Sequence, residues 1–305
     1  MSTGEQPSTS AKTTGPKRRT PWQLIRQTAR RSPSLLIGGV IIACLGLMAA
    51  FAPVLSPFDP LAVNAANAFQ PPDAQHWFGT DELGRDLYSR TLYGARASLL
   101  TGLFATVGAA LVGVPLGLMS GYFGRWADAL IMRAIDIQIA VPAILLALII
   151  IVMAGRGFVS SIVAVGIASI PVFARIVRAS TMSIKEEEYV SAVKALGAGH
   201  IYTMVRTILP NAWGPIIVQM VITASVAILL EAALSFLGLG TQPPTPTWGD
   251  ALRTGKGFLA NAPYYAILPG VMLTMTVLAL DLMGRGLQKF REGTADTPVE
   301  LEARA

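Results

Sequence analysis

Few side chains in this sequence have the type and spacing to do chemistry, and one of them lies in an unusual place. Glu231 is the only acid deep inside an apolar run. A charged group at the centre of a membrane helix costs about 2.5–3.5 kcal/mol on insertion scales. Its carboxyl must therefore face a polar partner, a water-filled path or a protein interior, or carry a proton. His76 and His200 are the only histidines, and Cys44 is the only cysteine. The histidines fall far apart on opposite sides of the membrane, where both read as polar surface residues rather than metal ligands. One cysteine allows neither an intrachain disulfide nor a cysteine metal site. The glycine-rich segments lack the Gly-Lys-Ser/Thr ending of a phosphate loop. No Ser-His-Asp set or carboxylate pair gathers on one side, so the chain itself should neither hydrolyse ATP nor act as an intramembrane enzyme.

The elements that must position these residues are mostly membrane helices. Mean hydropathy is +0.54 and 14% of the 305 residues are charged, too apolar for a soluble domain of this size. Six uncharged runs cover 32–58, 97–124, 137–155, 157–174, 207–230 and 257–280. Each approaches or exceeds the ~18–20 residues that span a bilayer as a helix. The expected class is an all-α membrane protein with six spans near 35–54, 98–120, 137–154, 159–175, 213–236 and 264–283. An ion-coupled carrier would show paired broken helices and several intramembrane charges, and here Glu231 alone fits.

Lysine and arginine placement sets the expected orientation. With the N-terminus inside, the inner segments hold 18 of the 24 basic residues, so both termini and the 183–211 loop are expected to be cytoplasmic. The chain divides into a basic tail over 1–33, a first helix with an external segment over 34–96, a five-helix core over 97–290 and a C-terminal tail over 291–305. Residues 1–16, rich in Ser, Thr and Gly, are expected to be disordered. Lys17-Arg18-Arg19 and Arg30-Arg31 precede an apolar helix. They read as anchors to an anionic leaflet rather than as a nucleic-acid surface. The first apolar run is too long for a signal-peptide core and should stay as an uncleaved anchor.

The longest polar insertion in the core runs from Ser183 to Asn211. Ser183 and Glu186 have capping-box spacing. Tyr189, Val190, Val193 and Leu196 then recur at helical spacing, Gly197-Ala198-Gly199 breaks the pattern, and Ile201, Met204, Val205 and Ile208 form a second face. Pro210 suits the first turn of a following helix. These signals predict two short helices at a sharp corner. The spacing alone fits either a docking element or an ordinary amphipathic loop. Before the second span, Asp81 reads as a helix N-cap with an interfacial helix from about residue 82. On it, Glu82/Arg85 and Asp86/Arg90 stand at pairing distances, as on a solvated face.

Several of these stretches resemble ABC importer permeases of the dipeptide, oligopeptide and nickel family. Phe78 to Leu99 fits the family pattern F-G-T-D-x-L-G-R-D-x-x-S-R-x-x-x-G-A-R-x-S-L without departure. The stretch Glu231-Ala232-Ala233-Leu234-Ser235-Phe236-Leu237-Gly238-Leu239-Gly240, followed by Gln242-Pro243-Pro244 and Trp248-Gly249, is similar to the family's fifth helix and following loop. Tyr122-Phe123-Gly124, Arg133, Asp136 and Ala174-Arg175-x-x-Arg178 also match, and the resemblance covers roughly residues 35–290. Residues 188–211 resemble the EAA loop that contacts the ATPase. Gly197 and Leu209-Pro210 stand at the motif spacing, while Ser191-Ala192-Val193 replaces Glu-Ala-Ala and Thr207 replaces Ile. Asp281 and Arg285 depart from the family's usual Asn and Asp, and read as a self-contained pair.

The resemblance, closest to the C-type subunit, implies a type I ABC importer permease fold with a cytoplasmic coupling-helix loop. It assigns Glu188, Tyr189, Ala192, Gly197, Leu209 and Pro210 to the ATPase-coupling element, and Glu231 to the pathway or a helix interface. The helix-interface role is preferred, because family members for different cargoes carry that acid. The implied partners are a homologous second permease, one or two ABC ATPase subunits, an extracytoplasmic solute-binding protein and the lipid bilayer, with no nucleic acid. No cofactor is expected in this chain, ATP and Mg being bound by the ATPases. The implied cargo is di- or oligopeptides, with nickel, glutathione-like compounds or oligosaccharides as alternatives. The implied location is the plasma membrane of a prokaryote.

Overall fold

A computed structural model of the protein describes residues 32–295, with side chains through Phe290. The basic clusters at 17–19 and 30–31 and the end of the C-terminal tail lie outside the described residues. Among the described residues the chain is helix and connecting turn, with one isolated antiparallel bridge between Thr80 and Asp86.

Five long apolar helices can each cross a membrane: α1 (Pro33–Ala50), α3 (Leu87–Phe123), α6 (Phe158–Lys185), α8 (His200–Phe236) and α10 (Tyr264–Ala295). A short α2 (Ala52–Leu55) follows α1. The single helix expected over 137–154 does not form. In its place stands a pair, α4 (Arg125–Ile139) and α5 (Ala143–Ala154), bent by 86°, which counts as a sixth crossing when its two arms are taken as one broken span. Pro142 sits at the break in extended backbone (φ −52°, ψ 134°). Proline disfavours a helical residue before it and offers no N–H to continue the ladder. Hydropathy recorded only the apolar arm.

Helix ends differ from expectation too. α3 starts at Leu87 and runs 37 residues, so the interfacial helix and the second span are one rod. Its N-cap is Asp86, not Asp81: Asp86 Oδ2 accepts the Ser89 N–H at 2.8 Å and the Ser89 hydroxyl at 2.6 Å. The Ser183–Glu186 capping box does not form, because α6 continues to Lys185 and carries Ser183 inside it.

Small residues decide how closely the rods approach. A Cβ on Gly113 would stand 2.6 Å from Phe173 Cβ, and one on Gly117 2.4 Å from the Ala174 carbonyl oxygen. The Gly113/Gly117 face therefore packs α3 on α6 within this subunit, the close backbone approach that glycine permits between membrane helices. α1 packs chiefly on α10. There the Ser32 hydroxyl donates to the Gly286 carbonyl at 2.8 Å.

The bundle has two differently built ends. One is the corner formed by α7 (Glu188–Ala195) and the first turns of α8. The other is a cap made from residues 56–86 and 237–263. The first cap segment folds back on itself: Asn64 N–H bonds the Leu83 carbonyl and Phe69 N–H the Asp81 carbonyl. The second contains α9 (Trp248–Gly255), capped by Thr247 through the Asp250 N–H.

Candidate functional site

α7 is closed at its C-terminus by local chemistry. Glu187, in extended backbone, is its N-cap residue. At its C-terminus Gly197 takes φ +89°. Its N–H bonds the Lys194 carbonyl while the Ala198 N–H bonds the Val193 carbonyl, the paired closure of a Schellman motif. An added Cβ at Gly197 would meet nothing within 4 Å. The position needs glycine for its backbone angle, which carries about 1–2 kcal/mol for an L-residue, and not for space.

The second arm is not a short helix. It is the beginning of α8, continuous with a membrane crossing, and contains a π-helical stretch over Thr203–Ile208. Pro210 follows the widened stretch by two positions. A proline there lacks the N–H for the residue-206 carbonyl and would crowd it in a regular helix. Wider turns of this kind accommodate such insertions and often mark functional positions. This second arm of the corner is thus part of α8, and α7 joins it through residues 196–199.

The two predicted apolar faces each split. Val190, Met204 and Ile208 turn inward, packing with Leu118 and Tyr122 of α3 and Val177 of α6. Leu196 and Ile201 turn outward, 88% and 75% exposed, with Tyr189, Tyr202 and Val205 around them. Partial burial, then the nearby Glu187 charge, raises the Tyr189 phenol above its usual range. Two polar contacts clip the corner to the end of α3. His200 Nδ1 meets the Tyr122 hydroxyl at 3.0 Å, and Lys194 Nζ lies 5.2 Å from the centre of the Tyr122 ring. Nothing in the spacing of residues 122 and 200 signalled this contact.

Of the predicted coupling residues, Glu188, Tyr189, Ala192, Gly197 and Pro210 are exposed and Leu209 is half-buried. Glu188, Tyr189, Ala192 and Gly197 share the α7 arm. Leu209 and Pro210 lie further along α8. Leu209 lines an apolar groove of about 280 Å³ with Val114 and Trp213.

Glu231 is fully buried. The Ser235 hydroxyl donates to its Oε1 at 2.7 Å. Ser98 of α3 faces the same carboxyl, but Ser98 Oγ and Glu231 Oε2 complete no hydrogen bond in good geometry. The acid thus sits at a junction of α3 and α8, with the Asp250 charge of α9 acting on it.

At the cap the charged residues are not the solvated face expected from their spacing. Asp81 is fully buried. Its Oδ1 accepts the N–H groups of Leu83 and Arg85, both at 2.9 Å. Its Oδ2 pairs with Arg85 Nε at 2.6 Å and Arg90 Nε at 3.4 Å. Arg90 therefore pairs with Asp81 and not with Asp86. His76, expected at the surface, is 6% exposed and meets Asp86 Oδ1 at 2.9 Å through Nδ1. Glu82, bonded by Arg85, also accepts the Tyr265 hydroxyl at 2.8 Å. The Trp248 indole N–H donates to the Thr91 carbonyl at 3.1 Å. These bonds lock α3, α9 and α10 together. The Asp281–Arg285 pair forms as expected, at 2.8 Å. Among the described residues no cluster of three His, Cys, Asp or Glu is placed to hold a metal ion.

The geometry is that of a multi-crossing helical bundle with an apolar-tipped corner at one end. Comparison with known proteins gives the family. Residues 113–292 match the binding-protein-dependent transport system inner membrane component, and residues 20–72 match the N-terminal TM domain of oligopeptide transport permease C. The chain belongs to this binding-protein-dependent permease family. It is 41% identical to the dipeptide transport system permease protein DppC of Alkalihalophilus pseudofirmus, over 88% of each chain. It is 40% identical to the di/tripeptide permease DppC of Pseudomonas aeruginosa, over 88% of this chain and 89% of that one. The glutathione transport system permease protein GsiD of Pectobacterium atrosepticum is 38% identical, over 88% and 90%. In fold, the chain resembles a chain of the MetNI methionine ABC transporter in an inward facing conformation. That match has a TM-score of 0.52 at 18% identity and covers 68% of this chain and 95% of the other.

Proposed function

We propose that this chain is the C-type permease subunit of an ATP-driven importer of di- and oligopeptides. It pairs with a homologous second permease around the translocation path and receives cargo from an extracytoplasmic solute-binding protein. One or two ABC ATPase subunits, which bind ATP and Mg and perform the hydrolysis, seat on the corner. The corner and both termini face the cytoplasm, as the basic-residue count favours, and the cap faces outward. Glu188, Tyr189, Ala192, Gly197, Leu209 and Pro210 form or support the ATPase-facing element. Glu231 serves as a helix junction, a role its complete burial supports.

The observation that carries this reading is the outward apolar tip of the corner, Leu196 at the end of α7 and Ile201 on α8, the second on a helix continuous with a membrane span. Exposed apolar surface outside the bilayer marks an interaction site. A rigid connection lets movement of the partner ATPases tilt α8, a gating motion of packed helices. Peptide cargo is read first because a relative named for dipeptides stands at 41% identity; relatives named for glutathione, itself a tripeptide, stand at 38–40%.

Purification of the membrane complex tests the proposal. The expected result is co-purification of an ATPase and a second permease, with a binding protein that retains short peptides. A complex without a nucleotide-hydrolysing subunit sinks the permease reading. A binding protein that retains only metal chelates or sugars sinks the peptide reading. An epitope at residue 197 reached from outside the cell reverses the orientation.

A further inference from the structure

Between the two cap segments and the start of α3 lie two adjoining hollows, one lined by an acid and the other by a base. The larger, about 570 Å³, lies between the stretches 53–61 and 244–246 and over Tyr93. The second, about 260 Å³, shares Tyr93, Thr245 and Pro246 and extends to Arg96 and Phe158. The shared walls make the two hollows one surface feature. Those walls are largely proline and aromatic rings, stiff faces that lose little conformational freedom when covered. The charged lining groups are Asp59 in the first hollow and Arg96 in the second. Both side chains are exposed. Neither has an ion-pair partner among the described residues, unlike the neighbouring Arg85 and Arg90. Asp59 Oδ1 accepts the local Leu61 N–H at 2.8 Å, which leaves Oδ2 for another donor.

An acid and a base in adjoining hollows match a small zwitterion. We propose that this pair of hollows is an entry subsite for short peptides with free termini, the ammonium on Asp59 and the carboxylate on Arg96. Peptide side chains lie against Phe58, Tyr93 and Phe158. A guanidinium fork suits a carboxylate because two parallel N–H bonds form at once. A phospholipid would offer its phosphate to Arg96, but it leaves Asp59 without a role. The inference rests on the peptide-import reading and adds to it where, and by which atoms, this subunit receives the cargo.

The test uses the complete transporter and its binding protein in proteoliposomes. Uptake of one tripeptide is compared in unmodified, N-acetylated and C-amidated form, in wild type, Asp59→Asn and Arg96→Gln. Ratios between wild type and variant cancel the binding protein's own preferences. Arg96→Gln is expected to lower uptake efficiency for the unmodified peptide roughly tenfold, the loss of about one charge-assisted bond, and to leave the amide nearly unaffected. Asp59→Asn is expected to do the same for free and acetylated amino termini. Basal ATP hydrolysis should not change in either variant, since both side chains are exposed and unpaired. Equal wild-type-to-variant ratios for all three peptides, with normal wild-type uptake, overturn the subsite. So does an Arg96→Gln effect confined to the amount of co-purified phospholipid. A wild-type complex that moves no peptide at all overturns the import reading beneath it.

Discussion

The cap and the corner stand at opposite ends of one bundle and are held by opposite physics. The cap is cross-tied by buried polar groups: Asp81 to Arg85 and Arg90, His76 to Asp86, Glu82 to Tyr265, Trp248 to the α3 backbone. The corner rests mainly on an apolar patch, Val190, Met204 and Ile208 against α3 and α6, with two contacts to Tyr122 beside it and Leu196 and Ile201 turned outward. Directional bonds fix a geometry, whereas an apolar contact fixes proximity and tolerates a change of partner. The cap therefore reads as the stiff reference of the molecule. The corner reads as the part meant to meet another chain.

The largest predicted effect breaks that contrast at the cap. Asp81→Ala strands Arg90 in a buried site and leaves Arg85 only the longer contact to Glu82, and removing one partner of a buried pair costs about 3–5 kcal/mol. Thermal melting of the purified protein should show a loss of that order, and an unchanged midpoint would mean the network contributes little. At the corner, Ile208→Ala should cost about 2–4 kcal/mol through cavity formation. The same variant should reduce peptide-stimulated ATP hydrolysis; stability lost with coupling intact would make the patch merely structural.

Gly197→Val comes next. The open space around the position confines the damage to backbone strain of about 1–2 kcal/mol. The protein should remain in the membrane while uptake falls relative to ATP hydrolysis, and Gly197→Asn should be milder because asparagine visits this backbone region more readily. Normal transport by the valine variant would remove the lever from the account. The smallest effect on the chain itself, within about 0.5 kcal/mol, is expected from Leu196→Asp. Its exposed site should leave folding alone, yet the ATPase should no longer co-purify. Retention of the ATPase would move the docking surface elsewhere.

Much of this molecule was legible as sequence where one dimension carries the information. The uncharged runs placed the membrane crossings, because hydrocarbon rejects charge whatever the fold. Gly197 announced a break, because few other residues take its backbone angle. Other features were hidden. The spacing of Asp81, Asp86 and Arg90 is the same for a solvated helix face and for a buried network. Only the return of residues 64–70 across the 79–86 turn excluded water and chose Asp81 as the partner of Arg90. His76 was misread for the same reason.

The amino-acid order alone determined five of the apolar crossings, the position of the corner and the isolation of Glu231. Those depend on transfer from water to hydrocarbon and on local backbone preference, both properties of short stretches. The tertiary structure decided which half of each amphipathic face turns inward, that α8 and the second arm of the corner are one helix, and that Asp59 and Arg96 line adjoining hollows. Those depend on contacts between residues far apart in the chain, whose partners no local spacing can specify.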